Sequence, residues 1–394
     1  MSFASWMPWF VVGVALPGFL IVWLGCFVIR RYAARWGLLD RPGHRKIHDE
    51  PKPTSGGLAI AMGVILPVLA GVAAAWLISR MQRTDPGATL LQYVPGMVKI
   101  HASGVLSQLS KLLQLLGGGA VLLVLGLIDD RRGIDWRIRI GIETAVAVTM
   151  TAFGWRLAMP LFFHGLPDGI LTVIQCGVSV IWIVGLINSF NMLDNMDGLS
   201  GGVAAIASTM LAVVLLGGAP GRIAGEPQLF VAGMFLLLTG SLCGFLRHND
   251  SPARLFMGDT GAYFIGYMIA MLTISATFAG NSVPPHAILA PLCVLAVPIY
   301  DTLSVVTIRL RSGKSPFEGD RNHYSHRLVR LGMSRVHAVR TIYLTTFCCG
   351  LGALLLYEIS WFGAIVVLCM IVSMLALIAN LEFTAARRDS DMKK

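Results

Sequence analysis

The residues best suited to chemistry form one polar stretch, residues 188–202, between two long apolar runs. Asparagines and aspartates recur there every three positions, at Asn188, Asn191, Asp194 and Asp197. On a helix, this spacing keeps the four side chains on one slowly turning side, so that they converge on one cavity. Carboxylates and carboxamides beside membrane-buried helix are costly to keep and are functional by default. The stretch therefore predicts one wall of a site that does chemistry.

Further carboxylates lie at the ends of other apolar runs. Asp129 and Asp130 follow one such run directly, although adjacent acids at a helix C-terminus oppose the helix macrodipole. Two carboxylates at a membrane edge can bind Mg²⁺ or act as a base. The alternative is a solvated helix end that is neutralised by Arg131 and Arg132. Asp259 lies close to glycines that allow close backbone approach, which suits a carboxylate holding a metal against a phosphate.

Hydroxyl and basic groups that suit phosphate lie in the neighbouring loops. Thr54 stands close to two glycines at a helix start, a setting that can cradle a phosphate. His323 and His326 lie in an arginine-rich loop, which favours diphosphate binding over a structural role for the histidines. A basic run like the one around Lys46 also serves topology and lipid headgroups. The candidate substrate contacts are Lys46, Thr54, Arg139, Asn188, Asn191, Asn249, Arg321 and Arg327.

Membrane-spanning helices must position these groups. The 394 residues are 55% hydrophobic and 13% charged, with a mean hydropathy of +0.71, which is too apolar for a soluble core. We expect an all-α integral membrane protein, with residues 1–394 forming a single polytopic domain. Stretches of about 20 apolar residues predict eleven spans, near residues 8–29, 57–79, 112–128, 139–154, 169–187, 201–217, 228–246, 261–279, 287–308, 341–359 and 361–380.

The distribution of basic residues predicts the orientation. If the first span enters from outside, 25 of the 31 Lys and Arg residues fall in the inside segments. This bias places the N-terminus outside and the C-terminus in the cytoplasm. The inside segments are the catalytic loops 30–56, 129–139, 188–200, 247–260 and 309–340, and the tail 381–394. Every polar cluster thus lies at the cytoplasmic face, as expected for an enzyme that joins a soluble substrate to a lipid one. Nucleic acid is not an expected partner, because no soluble basic domain is present to hold it.

Four segments, in this order, resemble the polyprenyl-phosphate N-acetylhexosamine-1-phosphate transferases: DDRRGIDWRIR, NSFNMLDNMDGL, HNDSPARLFMGDTG and DRNHYSHRL. The chain looks closer to the WecA-type branch, which uses UDP-N-acetylglucosamine, than to the MraY branch of peptidoglycan synthesis. The resemblance implies transfer of a sugar-1-phosphate from a UDP-sugar to polyprenyl (undecaprenyl) phosphate, with release of UMP. It also implies Mg²⁺ as the cofactor, with Mn²⁺ as an alternative. The expected location is the inner (cytoplasmic) membrane. The expected reaction is the first membrane step of cell-envelope polysaccharide synthesis.

The resemblance also implies roles for individual residues. The catalytic set would be Asp129, Asp130, Asp194, Asp197, His323 and His326. Asp259, together with Asp130, would hold the metal, and Arg139 matches a basic residue of relatives. The chain departs from the family at two places. Relatives often have Asp-Gly where this chain has Asp194-Asn195, and they commonly have a histidine where it has Ser325.

Three other functions are weighed against this one. A transferase using UDP-MurNAc-pentapeptide differs only in the UDP-sugar that it accepts. An intramembrane aspartyl protease would need Asp301, inside a predicted span, to face Asp259. The alternative for Asp301 is a pair with a basic residue. A transporter would more often carry ionisable groups along the bilayer midplane and show internal repeats. A homodimer is left open.

Overall fold

The computed structural model describes residues 3–40, 51–85, 89–94, 96–157, 166–217, 228–276, 284–317 and 319–391. These residues are mostly helical. The first seven helices are α1 (Phe3–Tyr32), α2 (Gly57–Thr84), α3 (Thr89–Tyr93), α4 (Gly96–Ser107), α5 (Leu109–Arg132), α6 (Trp136–Ala152) and α7 (Asp168–Leu193). The remaining eight are α8 (Leu199–Leu216), α9 (Leu229–Asn249), α10 (Gly258–Ser275), α11 (Ala290–Val294), α12 (Ala296–Arg311), α13 (Tyr324–Arg330), α14 (Arg335–Leu355) and α15 (Trp361–Asp391). A short 3-10 helix, Pro285–Leu289, leads into α11.

Ten of the eleven predicted spans each overlap one helix, whereas the span 287–308 covers the 3-10 helix, α11 and α12. The helices differ in how well they suit a membrane. In the described ranges, eight are long and apolar enough to cross one: α1, α2, α5, α7, α8, α9, α14 and α15. A ninth crossing results if Pro285–Val294 and Ala296–Arg311, bent by 64°, form one span. Helix α6, with 17 residues, and α10 are not among them. The protein is thus a multi-pass membrane protein, while the count of eleven and the orientation stay predictions.

Helix α10 is the central element of the bundle. It packs against α2, α5, α7 and α9, and all its residues from Thr260 to Ile274 are buried. A helix that is apolar on all sides is buried when other helices enclose it, as α10 is here. Glycines bring its neighbours into backbone contact. A Cβ on Gly57 would lie 2.1 Å from the Gly261 nitrogen, and one on Gly126 would lie 2.5 Å from the Thr260 Cα. Close approach through small residues is a common way to pack helices in membranes.

A small strand pair holds the segment before α2 against the start of α10. Strands β1 (Leu39–Asp40) and β2 (Lys52–Pro53) are antiparallel. The Phe256 N–H then donates to the Pro53 carbonyl at 2.9 Å, and the Gly56 N–H donates to the Phe256 carbonyl at 2.9 Å. These backbone bonds fix Thr54 beside the first turn of α10.

The histidine segment α13 is held by three other helices. It packs against α12, α14 and α15, and most of its residues are buried. The segment therefore belongs to the packed bundle, although the sequence predicts it as part of a long charged loop.

Candidate active site

One cavity of about 1120 Å³ opens at the end of the bundle where the polar segments meet. Nine of the residues predicted from sequence line it: Thr54, Asp130, Asn191, Asp194, Asp197, Asn249, Asp259, Arg321 and His326. Five others do not line it: Asp129, Arg139, Asn188, His323 and Arg327. Lys46 lies outside the described residues. The structure thus brings together most of the predicted site from five separate loops.

Asp130 caps the start of α10. Its Oδ1 accepts the Asp259 N–H at 2.8 Å, and its Oδ2 accepts the Ser55 hydroxyl at 2.7 Å and the Thr260 N–H at 3.3 Å. The Thr260 hydroxyl is a further donor. Gly258 has a φ of +73°, and a Cβ there would lie 2.5 Å from Asp130 Oδ2. A carboxylate has about four acceptor positions, so protein donors already occupy most of this one. Asp130 therefore presents Asp259 to the cavity.

Its neighbour Asp129 points away into a separate buried cluster. The Tyr263 hydroxyl donates to Asp129 Oδ2 at 2.6 Å, and the Ile134 N–H donates to Oδ1 at 2.7 Å. The Arg139 guanidinium lies 3.4 Å from the same carboxylate and 5.9 Å from the Tyr263 ring centroid. The two adjacent acids thus have different partners, and Asp129 with Arg139 forms a layer behind the cavity.

Helix α7 ends within the polar stretch 188–202, so that Asn188 and Asn191 lie on the helix and Asp194 and Asp197 do not. The expectation that all four lie on one helix is wrong, because α7 ends at Leu193 and Asp194 is its C-cap. Asn191 donates to Asp259 Oδ1 in the cavity. Asn188, one turn earlier, donates instead to the buried Glu143 of α6. A three-residue step turns the side chain by about 60° on a helix, which is enough to direct Asn188 away from the cavity.

The carboxylates of the cavity repel one another. Burial, together with the charges of Asp259, Asp130 and Asp197, raises the pKa of Asp194 to about 8. Asp194 and Asp259 have no ion-pair partner in the part of the chain that the structure describes. A cation bound among these groups would relieve that repulsion.

The donor set fits Mg²⁺ that is completed by a substrate. Within the described ranges, no group of three or more His, Cys, Asp or Glu side chains is arranged to hold a metal alone. Mg²⁺ usually takes one or two carboxylates and fills its other positions with water and substrate phosphates. Asp259 and the nearby Asp194 supply such carboxylates.

The two histidines of α13 have different settings. His323 Nδ1 lies 3.0 Å from Asp301 Oδ2, and the Tyr324 N–H donates to Asp301 Oδ1 at 2.6 Å. His326 lines the cavity, where burial and the charges of His323 and Arg321 lower its pKa to about 4. His326 is therefore neutral at neutral pH and can donate one hydrogen bond and accept another. His323 does not line the cavity and is the N-cap residue of α13.

Arg327 is buried in the bundle. Its Nε donates to Glu382 of α15 at 2.8 Å, its Nη2 donates to the Ser304 hydroxyl at 2.9 Å, and its Nη1 donates to the Asn322 carbonyl. The prediction that Arg327 contacts substrate is not supported by this geometry, because every part of the guanidinium has a protein partner.

We predict that Asp301→Asn lowers the stability of the protein. The change turns one acceptor oxygen into an N–H donor facing His323 in a fully buried position. Losing a buried acceptor costs about 1–3 kcal/mol, so the apparent thermal unfolding midpoint in detergent should fall. Asp85→Asn, at the exposed end of α2, is the matched control and should leave the midpoint unchanged. Equal midpoints for Asp301→Asn and wild type would show that this buried acceptor is dispensable.

The structure adds a wall that sequence reasoning missed. The first turns of α14 contribute Arg335, Val336, Val339, Arg340 and Tyr343 to the cavity lining. The Tyr343 hydroxyl donates to the Gly198 carbonyl, which ties this wall to the loop after α7. The available signal was the spacing of four and eight residues from Arg335, which places these residues on one side of a helix.

A cation and an aromatic ring line the opposite side. Lys52 and Phe256 both border the cavity, and Lys52 Nζ lies 5.2 Å from the Phe256 ring centroid. Sequence reasoning named neither, since an isolated lysine and an isolated phenylalanine carry no spacing signal.

Comparison with known proteins identifies the family of this chain. The profile of glycosyl transferase family 4 matches residues 112–277, which run from the first turn of α5 through the end of α10. The chain is 30% identical over 360 residues to a decaprenyl-phosphate N-acetylglucosaminephosphotransferase of Mycolicibacterium smegmatis, with 86% of this chain and 80% of that protein covered. It is 28% identical over 351 residues to a probable undecaprenyl-phosphate N-acetylglucosaminyl 1-phosphate transferase of Bacillus subtilis, with 88% and 85% covered. An undecaprenyl-phosphate alpha-N-acetylglucosaminyl 1-phosphate transferase of Escherichia coli is 27% identical, with 80% and 76% covered. The chain therefore belongs to glycosyl transferase family 4, the family that its four loop motifs resemble.

Proposed function

We propose that the protein transfers N-acetylglucosamine-1-phosphate from UDP-N-acetylglucosamine to a polyprenyl phosphate, forming a polyprenyl-diphosphate sugar and releasing UMP. The observation that carries this proposal is the carboxylate cavity at one end of a membrane bundle, in a chain whose relatives are named for this reaction. We place this end of the bundle at the cytoplasmic face of the inner membrane, because the basic residues concentrate in its loops.

The reaction balances without a further reactant. An oxygen of the lipid phosphate attacks the β-phosphorus of the UDP-sugar, and the bond from that phosphorus to the bridging oxygen breaks. UMP leaves with the bridging oxygen. Since the lipid phosphate is already anionic near neutral pH, the protein mainly has to position the two substrates and neutralise charge.

The cavity residues divide this work. When bound, Mg²⁺ would neutralise the diphosphate and polarise the reacting phosphoryl group. Asp259 would hold it, kept in place by Asn191 and by the Asp130 cap of α10. Neutral His326 can donate a hydrogen bond to the diphosphate, and Arg321 lies in the same lining. Asp194 lies close enough to Asp259 for their charges to interact, and it would supply a second carboxylate near the metal.

The other candidate functions find less support. An aspartyl protease needs two facing carboxylates. The Asp301 carboxylate is hydrogen-bonded to the His323 ring and the Tyr324 N–H, and it does not line the cavity that contains Asp259. A transporter would place its ionisable groups near the midplane, whereas the lining residues here gather at the ends of helices.

A UMP-release assay tests the proposal. Purified protein in detergent would be given polyprenyl phosphate, Mg²⁺ and, in separate reactions, UDP-N-acetylglucosamine, UDP-N-acetylgalactosamine and UDP-MurNAc-pentapeptide. We expect UMP from the first donor, and loss of release when EDTA removes the metal. Release only from UDP-MurNAc-pentapeptide would assign the peptidoglycan reaction, and no release from any donor would contradict the proposed function.

A further inference from the structure

The two positions at which this chain departs from the family pattern contact each other. The Ser325 hydroxyl of α13 donates to Asn195 Oδ1 in the loop after α7. These residues are 130 positions apart in the sequence. The departure at Asn195, in the loop 194–198 (the acid loop), and the departure at Ser325, in the histidine segment, are thus parts of one contact.

The surroundings of both side chains hold this contact in place. Ser325 is 1% exposed, and its neighbour in sequence is the cavity residue His326. Asn195 lines the cavity between Asp194 and Asp197, and its Nδ2 donates to the Met192 carbonyl at 2.8 Å. Asn195 therefore connects the end of α7 on one side to α13 on the other.

The other contacts of these two segments are with different neighbours. Asp197 accepts the Ala253 N–H at 2.9 Å, and His323 pairs with Asp301 of α12. Among the described residues, Asn195 to Ser325 is the side-chain hydrogen bond that joins the acid loop to the histidine segment. Removing either partner leaves a polar group in a confined site without its partner, a cost that acts on both loops at once.

The residue exchange is complementary in chemistry. The family pattern has a glycine at position 195 and a histidine at position 325. This chain has the larger Asn195 at the first position and the smaller Ser325 at the second. A glycine at position 195 would leave the buried Ser325 hydroxyl without its acceptor. A histidine at position 325 would crowd the Asn195 side chain in a position that is fully packed.

We propose that Asn195 and Ser325 act as one positioning unit, which sets the spacing between His326 and the carboxylates Asp194 and Asp197 and so tunes binding of the UDP-sugar diphosphate. This inference rests on the proposed function. Neither residue needs to touch the reacting atoms, since both act through the groups next to them in sequence.

A double-mutant cycle tests the unit. Asn195→Ala, Ser325→Ala and the double variant would be assayed for UMP release, with separate titration of the UDP-sugar and the polyprenyl phosphate. We expect each single variant to raise KM for the UDP-sugar about fivefold to twentyfold, and the double variant to be no worse than the worse single one. KM for polyprenyl phosphate should not change. General damage to the fold would instead lower kcat through loss of active protein.

The exchange itself supplies a second arm. Asn195→Gly and Ser325→His should each raise KM for the UDP-sugar, and the two together should restore it to within about threefold of wild type. Thr209→Val, which removes a hydroxyl from the contact between α8 and α9, is the control and should leave both KM values unchanged.

The outcomes separate the two proposals. Active wild-type protein with additive losses in the cycle, or with unchanged KM in the single variants, would overturn the positioning unit alone. Wild-type protein that releases no UMP would overturn the proposed function and, with it, this inference.

Discussion

Asp259→Asn should reduce Mg²⁺-dependent UMP release by on the order of 100-fold to 10,000-fold, the range that a lost metal contact of several kcal/mol produces. The substitution keeps the shape of the side chain and leaves an oxygen that can accept from Asn191. The fold around the start of α10 should therefore survive, because the Asp130 cap bonds to backbone N–H groups and not to the Asp259 side chain.

The experiment compares initial rates over a Mg²⁺ titration. Asp168→Asn, in the exposed first turn of α7 and at the other end of that helix from the cavity, is the matched control and should behave like wild type. An unchanged apparent unfolding midpoint would show that Asp259→Asn is folded. Full Mg²⁺-dependent turnover by this variant would remove Asp259 from the metal site.

Glu382→Ala should produce the largest loss of stability. It removes the carboxylate partner of the Arg327 guanidinium, and both side chains are less than one tenth exposed. Breaking a buried ion pair from one side costs about 3–5 kcal/mol, because the remaining charge is left without compensation. The Tyr300 hydroxyl would also lose its acceptor, which now lies at 3.1 Å. Since Arg327 lies on α13, UMP release should fall as well.

Two comparisons show whether the charge is responsible. Arg327→Met combined with Glu382→Met removes both charges and should have a higher apparent unfolding midpoint than Glu382→Ala. Glu358→Ala, at an exposed position just before α15, is the control for losing a glutamate and should match wild type. A midpoint for Glu382→Ala equal to that of wild type would mean that α15 does not hold the histidine segment.

Hydropathy was sufficient to locate the long apolar helices, because a long apolar run in a membrane satisfies its backbone polar groups by forming a helix. Hydropathy could not show which helices lie at the centre of the bundle and which lie at its edge. Helix α10 and α6 both gave ordinary apolar runs, and only the packing shows that α10 is enclosed by its neighbours. Hydropathy also placed the start of α14 too late: α14 begins at Arg335, so most of its cavity-lining residues fall in the predicted loop 309–340 and not in the predicted span 341–359.

The loop motifs identified the right segments and left the direction of individual side chains undetermined. Asp129 and Asp130 are adjacent, yet one faces Tyr263 and the other the start of α10. Asn188 and Asn191 differ by less than one turn and serve different helices. Composition and spacing report which groups are present at a surface, whereas the rotation of a helix about its axis is set by partners that are distant in sequence.

The glycine contacts around α10 have a consequence for mutational scans of this protein. Gly57 of α2 and Gly126 of α5 touch the backbone of the first turn of α10, at Gly261 and Thr260. Adding one methyl group at either glycine would push on the turn that carries Asp259, although alanine introduces no charge and no polar atom. In a deep mutational scan of activity, alanine at Gly57 or Gly126 should therefore be as damaging as substitutions in the catalytic loops. Such a scan would mark two glycines as intolerant although neither lines the cavity.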